Sequence, residues 1–134
     1  MIAKIKYLGN LRTEATHLKS GNVILTDAPT DNEGKGEAFS PTDLAATSLG
    51  SCILTIMGIA ARNHHIDMEN TEVTIQKIMA SNPRRIATIE VDIYMPNKAY
   101  SDREKTILEK AAHHCPVALS LSDRTEEVIH FHWK

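Results

Sequence analysis

The sequence predicts an α+β chain in which short antiparallel strands cover one long apolar helix. Three observations carry this. A charge-free run from Leu44 to Ala61 opens on the helix-start signals Ser40-Pro41. Segments of strict apolar/polar alternation flank that run on both sides and are bounded by turn dipeptides. A second capped and amphipathic segment begins at Ser101.

Residues 2–8 (IAKIKYL) alternate apolar and basic side chains, the pattern of a half-buried strand. Gly9-Asn10 marks a turn, residues 11–18 alternate again, and Ser20-Gly21-Asn22 marks the next turn before a short strand at 23–26. Strands separated by such short turns predict an antiparallel meander. Asp27 to Phe39 lacks periodicity and holds Pro29, Gly34 and Gly36, so it reads as a loop long enough to be functional. Its GKG does not fit a phosphate loop, because the preceding spacing and the helix opening at the lysine are missing.

Ser40 to His64 reads as the central helix. Ser40 is the N-cap, Pro41 suits the first helical position, and Asp43 completes a capping box. Apolar residues then fall on nearly every face, which predicts burial all round. The charge-free stretch is about 18 residues, the short end of the transmembrane range. Its first half is Ala, Thr, Ser and Gly rather than Leu and Ile, which favours the central helix of a soluble protein with small residues at close contacts.

Residues 71–80 and 85–95 alternate on either side of Asn82-Pro83 and read as a hairpin with one face on a core. Ser101 caps a helix running to Cys115, with Glu104 completing its capping box and Ile107, Leu108, Ala111, Ala112 and Cys115 on one face. Pro116 forces a kink or restart, residues 117–121 form a turn or short helix, and 126–134 form a final strand. With 134 residues, no repeat and no linker, the chain reads as a single domain, 1–134. So few short elements cannot cover a helix that is apolar all round, so an obligate homodimer is expected.

Net charge is −2, which argues against a nucleic-acid partner. The N-terminal apolar stretch is too short for a signal peptide and no other spanning segment is expected, so the expectation is a cytoplasmic protein with no membrane partner. Two cysteines, Cys52 and Cys115, both fall on expected buried faces. In a reducing compartment they are either unrelated buried hydrophobes or a redox pair. If they meet, one thiolate can attack an O–O bond and the other can capture the resulting sulfenic acid as a disulfide. A thiolate in an apolar site needs a nearby cation, and Cys52 lies too deep in its helix for the dipole to supply the charge. Arg12, mid-strand among neutral neighbours, is the best candidate.

SPTDLAATSLGSC and HHCPVALSL together resemble the two cysteine motifs of the OsmC/Ohr family of thiol-dependent hydroperoxide reductases. The order of elements matches that family over essentially the whole chain. The resemblance implies an OsmC-like fold, with antiparallel sheets wrapped around a long central helix in an intertwined homodimer. It implies an antioxidant, stress-response peroxidase for organic (alkyl or lipid) hydroperoxides. In it Cys52 is oxidised to the sulfenic acid, Cys115 resolves it as a disulfide, Arg12 steadies the thiolate and leaving oxygen, and an external dithiol recycles the enzyme. It also implies no metal and no cofactor. The family carries a glutamate after the proline, where it orients the arginine. Here that position is Thr42, so Asp43 or Glu37 is the expected substitute. The substrate pocket is expected to involve Phe39, Leu49 and Ile56.

Two other readings compete. A metal site from the cysteines and the seven histidines lacks zinc-ligand spacing, and adjacent pairs such as His113-His114 point in different directions. A non-enzymatic dimer that binds small molecules would keep both cysteines as structural hydrophobes.

Overall fold

The computed structural model describes residues 1–134. The chain divides into two compact units, Met1–Ala45 and Ala46–Lys134.

The first unit holds β1 (Ala3–Gly9), β2 (Arg12–His17) and β3 (Val23–Asp27), an antiparallel sheet in the order β1-β2-β3. The β1–β2 connection is tighter than the sequence pattern indicates. Asn10 and Leu11 both have positive φ, 53° and 60°, the backbone of a two-residue hairpin turn. Leu11 therefore belongs to the turn, and Arg12 is the first residue of β2 rather than a mid-strand residue. Register places Ile5, Ala15 and Ile24 in one row, and Tyr7, Thr13 and Thr26 in the next. Ile5, Tyr7 and Ile24 on that face are exposed within the chain. The opposite face carries Lys4, Lys6, Arg12, Glu14 and Asp27.

The loop after β3 folds back on itself. A short 3₁₀ turn spans Thr30–Asn32, and the Gly36 N–H donates to the Ala28 carbonyl. A Cβ on Gly34 would lie 1.7 Å from that carbonyl oxygen, so glycine is required there. The loop then meets α1 (Pro41–Asn63), whose capping box is formed: Ser40 N–H donates to Asp43 Oδ2 and Asp43 N–H donates to Ser40 Oγ, each at 3.0 Å.

The second unit holds most of α1, then β4 (Glu72–Ala80), β5 (Arg85–Tyr94), α2 (Asp102–Ala112), α3 (Pro116–Ser120) and β6 (Glu126–His132). The sheet order is β4-β5-β6. β4 and β5 form the expected hairpin, but β6 runs parallel to β5. A parallel neighbour needs a crossover, and α2 with α3 supplies it. Pro116 restarts the chain as α3, with Cys115 as its N-cap.

The core is one stripe of α1 (Ala46, Leu49, Ile53, Met57, Ala61) packed with Ile89, Val91 and Ile93 of β5, Leu108 and Ala112 of α2, and Cys115. The expectation of burial all round α1 is corrected for the single chain. Ala45, Ser48, Ser51, Thr55 and Ile59, on the opposite face, are exposed. α1 is long and apolar enough to cross a bilayer by length and composition, but a stripe of it is core. The Cβ direction of Gly50 points at β4, 2.8 Å from Ile75 Cδ1 and 3.2 Å from Val73 Cγ1. A side chain there would press on the Ile75 and Val73 side chains. Gly50→Val is expected to lower stability by about 1–3 kcal/mol through overpacking, read from the urea midpoint. Wild-type stability in that variant would show that α1 and β4 are not held this close.

Candidate active site

Cys52 sits on α1 beside the buried stripe and is partly exposed, whereas Cys115 is wholly buried. Both are free thiols, and Cys52 packs against the core cluster that contains Cys115. α2 ends at Ala112 with His113 as its C-cap, short of the expected Cys115, which lies in extended backbone as the N-cap of α3 and remains part of the core around α1. Cys115 Sγ also caps α3, accepting the Ala118 N–H at 3.4 Å. Burial pushes the Cys115 thiol pKa up, and its hydrogen bond to Cys52 pushes it further. The Ala118 and Val117 amides oppose this only in part. The pair is thus asymmetric, with a protonated, enclosed thiol at Cys115 beside a more accessible sulfur at Cys52.

Arg12 is clamped within the first unit. Its Nε donates to Asp27 Oδ1 at 2.7 Å and its Nη2 to Asp27 Oδ2 at 2.8 Å, a two-point ion pair. The Asp27 side chain is only 1% exposed, against 27% for Arg12. The Glu37 N–H donates to Asp27 Oδ2 at 3.1 Å. The Glu37 carboxylate lies 3.5 Å from Arg12 Nη2 and is 66% exposed, a looser contact. The hydrogen bonds from Arg12 hold the Asp27 carboxyl below its usual range against the opposing effect of burial, and Asp27 in turn raises the Arg12 pKa.

Of the two expected orienting acids, Glu37 does contact Arg12, whereas Asp43 serves the helix cap. The Asp43 carboxylate accepts the Ser40 N–H in the helix cap, and Glu37 is a secondary contact of Arg12. The main acid is Asp27, which the sequence reading left as the first residue of a loop. A signal was present: in an antiparallel meander, the start of the second strand faces the end of the third, and Arg12 pairs with Asp27 in register. Thr42 Oγ1 lies 3.2 Å from Ser40 Oγ.

Of the expected pocket residues, Leu49 is corrected. It is 0% exposed and belongs to the core, because it lies on the α1 stripe facing β5. Ile56 packs partly against the core and Phe39 is half exposed. No group of three or more His, Cys, Asp or Glu side chains is placed to hold a metal ion. His114 Nδ1 instead faces the Lys110 carbonyl at 2.7 Å, and His132 Nε2 faces Asp92 Oδ1 at 2.8 Å.

A family model described as OsmC-like protein matches residues 34–128, which includes both cysteines. The chain belongs to the OsmC-like family. Its α+β arrangement of two sheets and a long helix is the OsmC-like fold. A crystal structure of a candidate osmotic stress induced and detoxification response protein from Psychrobacter arcticus 273-4 is 47% identical, with TM-score 0.94 over 98% of this chain and 96% of that one. An organic hydroperoxide resistance protein OsmC from Legionella pneumophila shares the fold at 14% identity, with TM-score 0.75 over 98% and 96% of the two chains. An organic hydroperoxide resistance protein from Elizabethkingia anophelis shares it at 14% identity, with TM-score 0.77 over 100% and 97%. No curated protein matches the chain.

The Arg12–Asp27 pair makes a prediction about acid. Asp27 has a lowered pKa in the folded chain, so its contribution to stability is fully present above the unfolded value of about 3.9 and is lost as pH falls through the folded value. The urea midpoint is expected to drop below about pH 4, and Asp27→Asn is expected to be less stable at pH 7 with a shallower acid drop. An equal acid slope in the two proteins would show that the pair does not couple to folding.

Proposed function

We propose that this OsmC-like protein is a thiol-dependent peroxidase for organic hydroperoxides. The observation that carries the reading is the presence of two free thiols at one core, Cys52 partly accessible and Cys115 enclosed, with Cys52 among the groups that raise the Cys115 pKa. The Cys52 thiolate attacks the distal oxygen of ROOH. The O–O bond breaks, the alkoxide leaves as ROH after gaining a proton, and Cys52 becomes a sulfenic acid. Cys115, on losing its proton, attacks that sulfur, hydroxide departs as water, and a disulfide forms. An external dithiol then reduces the disulfide and is itself oxidised. In this reading Arg12 steadies the reacting sulfur and the departing oxygen. Family relatives described as organic hydroperoxide resistance proteins support the substrate class. A preference for alkyl or lipid chains over hydrogen peroxide is the expectation, since burying a chain is worth about 0.8 kcal/mol per CH₂. A thiol pair that must cycle back to the reduced form suits the cytoplasm.

The working unit in this reading is a homodimer. The exposed Ile5, Tyr7 and Ile24 row of the first sheet and the exposed Ile59 on α1 are the apolar surfaces that a second copy would cover. The solution mass is expected to be about twice the 14.9 kDa of the chain, read by light scattering. A monomer at micromolar concentration would overturn this.

Intact-mass spectrometry tests the chemistry. One equivalent of cumene hydroperoxide is expected to remove about 2 mass units from the reduced protein, and to add about 16 to Cys115→Ser as Cys52 stops at the sulfenic acid. An unchanged wild-type mass removes the peroxidase reading and leaves the cysteines as structural hydrophobes in a binding protein.

A further inference from the structure

We infer that the joint between α2 and α3 is a latch that opens away from β6 at Glu127, and that its opening exposes the enclosed Cys115 thiol. The use of the latch rests on the peroxidase reading above, in which Cys115 must give up its proton and change partners. The latch itself rests on how α2 and α3 meet β6.

Alternate residues of a strand share a face. The face of β6 that meets the helices carries Glu127, Ile129, Phe131 and, just beyond the strand, Trp133. Ile129, Phe131 and Trp133 pack against the core. Glu127 is the one acid in that row. It lies in register with Ile89 of β5, which has no exposed surface. Its Oε2 is buried and has no hydrogen-bond partner. α2 runs along the row, with Glu109 at Trp133 and His113, its C-cap, near enough to Glu127 to act on its charge.

The two ends of that seam differ. At the Trp133 end the indole Nε1 donates to Glu109 Oε1 at 3.1 Å, and Lys105 Nζ lies 5.4 Å from the ring centre. Phe131 stacks on the same indole and Tyr100 meets it edge-on. At the Glu127 end the seam closes over a carboxyl oxygen that no donor satisfies. A buried polar group without a partner costs free energy, and opening to water removes that cost. The adjoining α3 has no wholly buried residue, and its Leu119 is 79% exposed. Cys115, between the two helices, is 0% exposed. The weaker end of the seam is therefore the end that encloses the thiol. An enclosed thiol has no water to take its proton, and local opening of a weakly held segment is the cheapest way to admit it.

Burial raises the Glu127 pKa, and His113 opposes this in part. No other charge acts on it. α3 and the buried stripe of α1 carry none, and Glu90 and Asp92 of β5 share the opposite face with Val128 and His130. A carboxyl whose folded pKa is raised stabilises the closed joint while protonated, and that contribution is lost as pH rises through the folded value. The latch loosens as pH rises.

The test uses the full chain carrying Cys52→Ser, so that only Cys115 reports and no peroxide chemistry is needed. Labelling of Cys115 by dithiodipyridine is followed from mildly acidic to mildly alkaline pH in this parent, Glu127→Leu, Glu127→Gln and Glu126→Gln. Backbone hydrogen exchange of residues 112–121 is followed by mass spectrometry in the same set. Each variant is compared with the parent at equal pH, which cancels the ionisation of the thiol itself. Glu127 is not among the groups that shift the Cys115 pKa, so a change in labelling reads opening. Glu127→Leu, which continues the apolar row, is expected to slow labelling about tenfold at neutral pH, the scale of removing one unsatisfied buried polar group. It is also expected to protect residues 112–121 from exchange. Glu127→Gln is expected to lose the rise of opening with pH, and Glu126→Gln, on the opposite face, to match the parent. Unchanged or faster labelling in Glu127→Leu, a parent-like pH response in Glu127→Gln, or exchange that is lost first at the Trp133 end would each overturn the latch. If Glu127→Leu fails to fold, the pH response of Glu127→Gln decides. Failure of the peroxidase reading shows separately, as a wild-type mass that hydroperoxide does not change.

Discussion

The packing of one stripe of α1 onto β5 is the contact on which the rest of the second unit depends. Leu49, Ile53 and Met57 meet Ile89, Val91 and Ile93 with no exposed surface left on any of them. Each such side chain contributes about 1.5–3 kcal/mol on burial, so this seam outweighs any single polar contact in the unit. It sets the rotation of α1 about its axis. That rotation places Cys52 at the edge of the stripe, partly open, while Leu108, Ala112 and Cys115 complete the same core. Gly50 lets β4 approach α1 closely on one side, so the seam and the strand fix the helix from two directions.

The asymmetry of the thiols follows from that packing. A wholly buried thiol surrounded by apolar side chains resists ionisation, and Cys115 is held further in its protonated form by the neighbouring sulfur. In the proposed reaction the first sulfur would meet the oxidant and the second would be reserved for the product of that step. The short helix α3 holds Cys115 as its N-cap, where the Ala118 amide donates to the sulfur.

In the first unit the organising interaction is electrostatic. A carboxylate as buried as Asp27 is costly unless paired, and the two bonds from Arg12 and one from the Glu37 amide satisfy it. Those bonds tie the loop back to β3, and the fold-back sets Gly34 against the Ala28 carbonyl, where no side chain fits. The apolar row of Ile5, Tyr7 and Ile24 is the unit's unspent surface, and a second copy is the occupant that the proposed dimer supplies.

Much of this was readable from sequence alone, because it rests on local rules. Period-2 alternation located every strand, the Ser40–Asp43 and Ser101–Glu104 boxes located both long helices, and Pro116 located the break before α3. The two cysteine motifs pointed to the family, and helical spacing put both cysteines on apolar faces. What local rules could not reach depends on which distant residues face each other. The parallel placement of β6, the core position of Leu49 and the exposed face of α1 were decided by packing across elements. So was the choice of Asp27 as the main partner of Arg12, with Glu37, one of the two expected acids, beside it. One turn residue, Leu11, with a positive φ, sets where β2 begins, and that register brings Arg12 opposite Asp27. Sequence determined which chemical groups the chain possesses and on which elements they ride. Tertiary structure decided which of them meet, because hydrogen bonds and buried contacts act over a few ångströms in space regardless of separation along the chain.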